Sequence, residues 1–306
     1  VLILPTGGEP LDGANFALQP DFVQSDSATF EEFTWRVTAA YTFNDNVYGY
    51  LTASRGFKSG GYNDQAGSGG FANFPLQPYD PEFANNFEIG VKTSAFDDRL
   101  RFNATYFFVN YEDFQRSAVV TVPGTAFQET RTFNAADVDA SGFELELEAL
   151  LADGLTLRAN LGTLDAEYNE FILDLDQDGN NEDFSGREVT RAPDFTAGLD
   201  LTYLHDLESG ANVRYNINLN FEDENTYYYN EVIGANFDTV LEERSILNAN
   251  ITYTSPNEAF YISAFGKNLT DDRYKTAAQA VGALWTFANF GPPRVWGVEA
   301  GFNFGL

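Results

Sequence analysis

WGVEAGFNF, residues 296–304, is the stretch that decides the fold. From Trp296 onward every second residue is apolar or aromatic, and glycine, glutamate or asparagine occupies the positions between. Side chains of a β-strand point alternately to its two faces, so this pattern predicts an amphipathic strand. Such a strand, with aromatic residues at its end, is typical of a transmembrane β-barrel, although a soluble β-sandwich can end in the same way.

The same alternation recurs along the chain and predicts ten more strands, paired as five hairpins. The predicted tight turns are at residues 44–46, 97–98, 152–154, 208–210 and 255–257. The predicted long connections are at residues 58–80, 110–132, 168–189, 222–241 and 268–290. Outer-membrane barrels have tight turns on the periplasmic side and long loops outside, so we expect all the tight turns on one rim.

Composition excludes several classes of protein. The chain has 46 Asp+Glu against 17 Lys+Arg, and so acidic a chain is a poor partner for nucleic acid. It has no cysteine, so it can form neither a disulfide framework nor a thiolate metal site. No run approaches the roughly 18 apolar residues of a transmembrane helix. The first residues also lack the charged segment of a signal peptide.

The charged face of the predicted strands distinguishes a membrane barrel from a soluble one. Charges on this face would line a wide, wet lumen, while a mid-bilayer Arg or Lys on the other face would cost about 2–4 kcal/mol. The predicted lumen charges are Arg36, Arg101, Glu144, Arg158, Arg214 and Glu299. We expect Leu157, Ile217 and Phe302 to face lipid, and Arg158, Asn216 and Asn303 to face the lumen.

The number of predicted strands, about eleven, is odd, whereas single-chain bacterial barrels have an even number. The chain is therefore expected to be the C-terminal part of a larger barrel. We expect its first strand, near Trp35, to lie far from its last strand, near Trp296, with both edges unpaired.

Six segments resemble the TonB-dependent receptors of Gram-negative outer membranes, in the order and spacing of that family. They are SRGFKSGGY (residues 54–62), PE with EIGVK (81–92), NYED (110–113), SGFELE (141–146), KNLTDDRY (267–274) and GPPR (291–294). The resemblance covers about residues 30–306 and implies an all-β, transmembrane, antiparallel up-and-down barrel. By that resemblance, residues 33–306 are about the last 11 strands of a barrel of about 22. Residues 1–32 are then an extracellular loop with a strand remnant, and the N-terminal plug and TonB box lie outside this chain.

The resemblance also implies a function, which is TonB-energised uptake of a scarce solute across the cell outer membrane. The family default for that solute is a ferric siderophore or a similar iron complex. The implied partners are outer-membrane lipid and lipopolysaccharide, TonB acting through the plug, and a small-molecule ligand, with a monomer as the full-length state. A passive porin, and a receptor for carbohydrate or vitamin B12, stay open as alternatives, and the sequence does not indicate which residues bind the ligand.

One acidic segment has the start of a calcium-binding loop. Its pattern D-x-D-x-D-G can direct carboxylates at alternate positions onto one hard cation, and the glycine permits a sharp turn. The candidate calcium ligands are Asp174, Asp176, Asp178, Asn180 and Glu182. Ser185 stands where such a loop ends in glutamate, so a solvated acidic loop is the alternative.

No catalytic set is predicted. The single histidine, His205, lies beside a tight turn, which leaves no Ser–His–Asp triad and no histidine-based zinc site. Glu144, Glu146 and Glu148 have the spacing of one face of a strand, and a lumen wall explains them without glycosidase chemistry. We therefore predict that the protein is not an enzyme.

Overall fold

The computed structural model describes residues 27–63, 77–121, 128–173, 180–227, 239–281 and 285–303. The strands in these ranges are Trp35–Asn44 (β1), Val47–Lys58 (β2), Gly61–Asn63 (β3), Gln77–Tyr79 (β4), Glu82–Ala95 (β5), Leu100–Thr121 (β6), Gln128–Ala152 (β7), Leu155–Leu173 (β8), Glu182–Asp183 (β9), Phe195–Asp206 (β10), Asn212–Glu222 (β11), Asn225–Thr226 (β12), Val240–Leu241 (β13), Arg244–Thr254 (β14), Phe260–Lys267 (β15), Lys275–Val281 (β16), Trp285–Phe290 (β17) and Val295–Phe302 (β18). Nowhere in these ranges is there a helix long and apolar enough to cross a membrane.

Eleven of these strands form one sheet in the order β1-β2-β5-β6-β7-β8-β10-β11-β14-β15-β18. Every pairing along this path is antiparallel, and β9 pairs with β8 beside it. The short strands form three separate pairs, β3–β4, β12–β13 and β16–β17. An up-and-down sheet of eleven strands is the architecture that the alternation predicts, and within the described residues it is confirmed.

The register of the strands separates an apolar face from a polar face. Leu157 pairs with Leu201, which pairs in turn with Ile217. At the next position along the strands, Arg158 pairs with Asp200 and begins a second row. Because side chains alternate, the apolar face carries the first row and the polar face carries the second. These residues therefore lie on the faces that the alternation predicts for them.

The described residues leave the apolar face uncovered. Ile217 is 49% exposed, and Trp296 and Val298 on the last strand are 80% and 71% exposed. Exposed apolar surface on this scale is unfavourable in water, whereas the hydrocarbon of a bilayer would cover it. Aromatic pairs such as Tyr203–Tyr215 and Phe260–Phe302 lie on this face close to the tight turns, where an interfacial girdle is expected.

The tight turns lie together at one rim, which we call the turn rim. Four backbone hydrogen bonds join the turn-rim ends of neighbouring hairpins. These bonds are Ser94 N–H to Asn46 O, Leu150 N–H to Arg99 O, Leu204 N–H to Gly154 O and Asn303 N–H to Ala259 O, at 2.7–2.9 Å. The long connections therefore leave from the opposite rim, which we call the outer rim. The predicted arrangement of turns is confirmed.

Three strands are longer than the alternation predicts. The predicted loop at 110–132 is wrong where it overlaps β6 and β7, which pair as far as Thr121 and Gln128. The predicted loop at 168–189 likewise overlaps β8, which continues to Leu173. We call the part of β6 beyond residue 111, with the parts of β7 and β8 paired to it and residues 182–189 bonded to β8, the outer extension. The predicted loop at 268–290 is also wrong in part, because it contains the hairpin β16–β17.

β-Bulges explain why the alternation did not predict the outer extension. Tyr111 pairs with Val138, but the next aligned pair is Phe114 with Ala136, so β6 has one extra residue there. Two more shifts follow. One lies between Phe114 and Gln115, where β7 has the extra residue, and one lies between Asp137 and Val138, where β8 has it. An extra residue moves all later side chains to the opposite face, which ends a strict period of two.

The two edges of the sheet are open. All ten residues of β1 are exposed, and the sheet path runs from β1 to β18 without joining them. Ten interstrand spacings of about 4.8 Å separate these edges by about 48 Å along the sheet. The predicted separation of the first and last strands therefore holds in the described residues. Residues 1–26 are outside the described ranges, so the loop and strand remnant at 1–32 stay a prediction.

The face assignment predicts the environment of spin labels in the full-length protein reconstituted in lipid vesicles. Labels at Leu157 and Ile217 should collide with oxygen, which dissolves in the bilayer, and labels at Arg158 and Asn216 with a water-soluble nickel chelate. Power-saturation electron paramagnetic resonance measures both accessibilities. A reversed pattern at these neighbouring positions would exclude a membrane orientation with the apolar face towards lipid.

A charge on the apolar face should weaken the protein more than the same charge one residue away. Ile217→Lys places an ammonium group on the apolar face and should cost about 2–4 kcal/mol if it lies near the bilayer midplane. Asn216→Lys, on the polar face, is the matched control and should cost much less. Urea unfolding of both variants in vesicles measures the difference, and equal losses would contradict the assignment.

Candidate functional site

The polar face, which we call the polar wall, carries side-chain hydrogen bonds between neighbouring strands. Arg158 Nη2 donates to Glu148 Oε1 at 2.9 Å, across the β7–β8 pair. Farther along the sheet, Asn216 Nδ2 donates to Asp200 Oδ2 at 2.8 Å and to Thr202 Oγ1 at 2.9 Å. Exposed pairs of this kind contribute about 0–1 kcal/mol each, so their main effect is to orient polar groups. The wall can therefore accept water, a polar domain or a hydrophilic solute.

Towards the outer rim, the positions that continue the apolar face are occupied by polar residues. Arg55 Nη1 donates to Asn85 Oδ1 at 2.8 Å, and its Nη2 donates to Glu112 Oε2 at 3.1 Å. Asn110 Nδ2 donates to Asp139 Oδ1 at 2.9 Å one strand farther along. These residues continue the alternating positions of the apolar face towards the outer rim. They indicate where the strands leave the hydrocarbon region.

The outer extension contains the main buried hydrophobic cluster of the described residues. This aromatic cluster consists of Ala136, Val138, Tyr168, Phe171 and Phe184, with Tyr111 and Phe114 packed against it. Tyr168 is 0% exposed, and its ring centroid is 4.9 Å from that of Phe171. The bulges bring Phe114 and Phe171 to the side of Val138, which belongs to the polar face. The cluster therefore stands in line with the polar wall, towards the outer rim.

Arginine side chains lie on the aromatic rings of the outer extension. Arg116 donates from Nη1 to the Tyr168 hydroxyl at 2.7 Å and to Thr190 Oγ1 at 3.1 Å. Its guanidinium carbon is 5.5 Å from the Tyr168 ring centroid and 5.6 Å from that of Phe171. Arg191 lies 4.0 Å above the Tyr227 ring centroid. These contacts fix cationic groups at the outer end of the wall.

Two carboxyl groups of the outer extension have pKa values shifted in opposite directions. Burial raises the pKa of the Asp113 carboxyl above its usual value, and the negative charges of Asp137, Asp80 and Glu112 raise it further. Asp113 occupies the first bulge, with φ 54°. Hydrogen bonds from the Ser185 side chain and backbone lower the pKa of Asp183. The two groups show that the same residue type has opposite electrostatic surroundings within one region.

A buried asparagine organises the loop that enters the last hairpin. Asn268 is 4% exposed, and its Nδ2 donates to the carbonyls of Asp272 and Pro292 at 2.9 and 3.1 Å. Its Oδ1 accepts the Asp272 N–H at 3.0 Å. The Asp272 carboxylate in turn accepts the Ser245 N–H at 2.9 Å. This Asn268 clasp fixes the first turn of the loop to β14 and to the start of β18.

The structure describes only two of the candidate calcium ligands. Asp174, Asp176 and Asp178 lie outside the described residues. Asn180 is exposed, and Glu182 lies in β9, where it pairs with Leu173. No group of three or more acidic or histidine side chains placed to hold a metal is found within the described ranges. The calcium loop thus stays a prediction.

The glutamates and the histidine considered in the sequence analysis make contacts within the sheet. Glu148 is paired with Arg158. His205 Nδ1 is 3.2 Å from the exposed Tyr203 hydroxyl at the turn rim. The arginines on aromatic rings were not predicted, because their partners are distant in the sequence: 52 residues separate Arg116 from Tyr168 and 74 separate it from Thr190.

Comparison with known proteins identifies the family. The family model described as TonB dependent receptor-like, beta-barrel, matches residues 11–270. This chain belongs to that family. The TonB-dependent receptors are transport receptors of the Gram-negative outer membrane, so the prediction that the chain is not an enzyme is confirmed by its family. Three of the segments that suggested this family, those around Arg55, Asn110 and Asn268, lie towards the outer rim.

Individual relatives agree with this assignment. The metal-pseudopaline receptor CntO of Pseudomonas aeruginosa strain UCBPP-PA14 is 26% identical over 198 residues, which are 62% of this chain and 24% of that receptor. The ferric yersiniabactin uptake receptor FyuA of Yersinia pestis superposes with a TM-score of 0.68 at 22% identity, covering 87% of this chain and 36% of FyuA. The siderophore receptor PiuA of Acinetobacter baumannii gives 0.62 at 21%, covering 87% and 35%. The chain thus spans a quarter to about a third of these proteins, and the structural likenesses establish the fold alone.

Loss of the Asn268 side chain should loosen the outer rim. Asn268→Ala leaves the Asp272 N–H and two carbonyls without their buried partner, at a cost of about 1–3 kcal/mol. Cleavage of the loop at 268–294 by a protease added to intact cells should accelerate. Asn289→Ala, an exposed change in the same loop, is the control. Equal cleavage of both variants would show that the clasp does not hold the loop.

Proposed function

We propose that this chain forms part of the barrel of a receptor that takes up a ferric siderophore or a similar metal chelate across the outer membrane. The observation that carries the proposal is the family match over residues 11–270. CntO, FyuA and PiuA are named as metal or siderophore receptors, which supports a metal chelate as the ligand.

The two faces of the sheet fit separate parts of this function. The apolar face would contact outer-membrane lipid, and the polar belt above it, with Arg55 and Glu112, would lie at the level of lipopolysaccharide head groups. The polar wall would line the lumen and face a plug domain. The open strands β1 and β18 would pair with further strands of the same barrel, because an unpaired edge in lipid costs several kcal/mol per backbone group. A barrel closed in this way needs no second subunit, so we expect a monomer.

The outer rim would capture the ligand. Its loops connect to the wall through rigid elements, the aromatic cluster and the Asn268 clasp. A passive porin requires a polar lumen but no such elements above it, so they favour a receptor over a porin. Energy would come from TonB acting on the plug. Calcium bound by Asp174, Asp176, Asp178, Asn180 and Glu182 would further order the loop that follows β8.

Uptake measured in cells tests the proposal. The full-length protein should restore accumulation of iron-55 from ferric chelates in a Gram-negative strain without its own siderophore receptors. Because the energy comes from TonB, accumulation should stop in a tonB-null derivative, while binding at the cell surface persists. Accumulation that continues without TonB would support a porin instead. If labelled vitamin B12 or maltodextrin is accumulated and iron is not, the proposed solute class is wrong.

A further inference from the structure

Three aromatic rings of the polar wall lie flat over glycines of a neighbouring strand. We call them the ring seats, and they are Tyr50 over Gly90, Tyr261 over Gly301 and Phe265 over Gly297. A Cβ atom on any of these glycines would lie closer than 3.0 Å to atoms of the ring above it, where real Cβ atoms are essentially never found. Only a glycine therefore leaves the space in which each ring lies.

Hydroxyl groups hold two of the ring seats down. The Tyr50 side chain extends from β2 across β5, and its hydroxyl is hydrogen-bonded to Thr105 Oγ1 on β6 at 3.1 Å. Thr105 is the residue that pairs with Gly90, so the side chain reaches over three neighbouring strands. On the last hairpin, the Tyr261 hydroxyl donates to Glu299 Oε1 of β18. Because both bonds run between strands, they keep the rings parallel to the sheet and turn a ring face away from the wall.

The ring seats are apolar patches in polar surroundings. Tyr50, Tyr261 and Phe265 are only partly buried by the described residues, so part of each ring stays open. Hydroxyl and carboxylate groups, such as those of Thr105 and Glu299, lie beside them. Apolar patches rimmed by polar groups are typical of surfaces that contact another protein domain, whereas a wall that faced only water would gain nothing from exposed rings.

We infer that the ring seats are contact points on which the plug domain of the full-length receptor packs, and that the glycines keep the rings low enough for the plug to fit. This inference rests on the proposed function, in which the polar wall faces a plug. The matching surface of the plug would carry small apolar side chains, because a flat ring face offers apolar contact. A ring forced off its glycine would stand in the space that the plug needs.

Vancomycin sensitivity of cells that carry the full-length receptor tests the ring seats. Vancomycin is a large hydrophilic antibiotic that an intact outer membrane excludes, so a plug displaced from the wall should admit it. Gly90→Ala and Gly301→Ala should each lower its inhibitory concentration about fourfold or more, because a raised ring overpacks the contact with the plug. Gly56→Ala is the matched control, since Gly56 lies on the same face of β2 as Tyr50 and a Cβ atom there meets nothing within 4 Å. It should leave the inhibitory concentration unchanged.

A double substitution separates the effect of the ring from that of the backbone. Tyr50→Ala removes one ring seat and should lower the inhibitory concentration to a smaller extent than Gly90→Ala. Adding Gly90→Ala to Tyr50→Ala should have no further effect, because the glycine acts only through the ring above it. Heat-modifiable migration on gels verifies that the barrel of each variant is folded.

Folded Gly90→Ala and Gly301→Ala variants that exclude vancomycin as well as the wild type does would overturn the inference while leaving the proposed function standing. An equal effect of Gly90→Ala with and without the Tyr50 ring would overturn it as well. If Gly90→Ala does not fold, Tyr50→Ala decides by itself, and full exclusion of vancomycin by that variant overturns the ring seats. A wild-type receptor that itself admits vancomycin has no plug in its lumen, and the proposed function then fails together with the inference.

Discussion

The strict pairing of backbone hydrogen bonds between adjacent strands is the constraint on which the rest of the structure depends. In a bilayer no water is available to an unpaired N–H or C=O group, so a spanning sheet must pair every strand with its neighbours. Once the register of one pair is set, every residue of both strands is assigned to one of two faces. The wall of polar groups around Asn216 and the apolar row through Ile217 are therefore consequences of one register.

This constraint also explains which parts of the fold could be predicted from the sequence. Where strands cross the hydrocarbon region, each face has a uniform environment, so apolar and polar residues alternate without interruption. The strands and turns there follow from the pattern alone. Beyond Tyr111 both faces of the sheet leave the hydrocarbon, and bulges at Asp113 in β6 and at Asn169 in β8 interrupt the alternation. A period of two is then absent although the backbone remains paired, and so the alternation predicts a loop where the outer extension lies.

The candidate site was predictable only in outline. The segments that resemble the receptor family are local in sequence, and those at residues 110–113 and 267–274 correspond to the bulge region and to the Asn268 clasp. The arginines on aromatic rings depend on partners far apart in the chain, such as Arg116 with Thr190. No spacing rule connects such residues, because only the register of the strands and the course of the loop after β8 bring them together.

The two sides of the bulge at Asp113 differ in how well they tolerate the insertion of a residue. Below it, inserting one residue would turn every lipid-facing side chain inward, so the register of each spanning strand tolerates no change in length. Above it, an extra residue has already been absorbed, with the bulge taking up the shift. Insertions in the outer portion can thus change which side chains face the ligand without altering the register of the strands in the membrane. A receptor built in this way can acquire a new ligand preference by small insertions near its rim, while the same scaffold is retained.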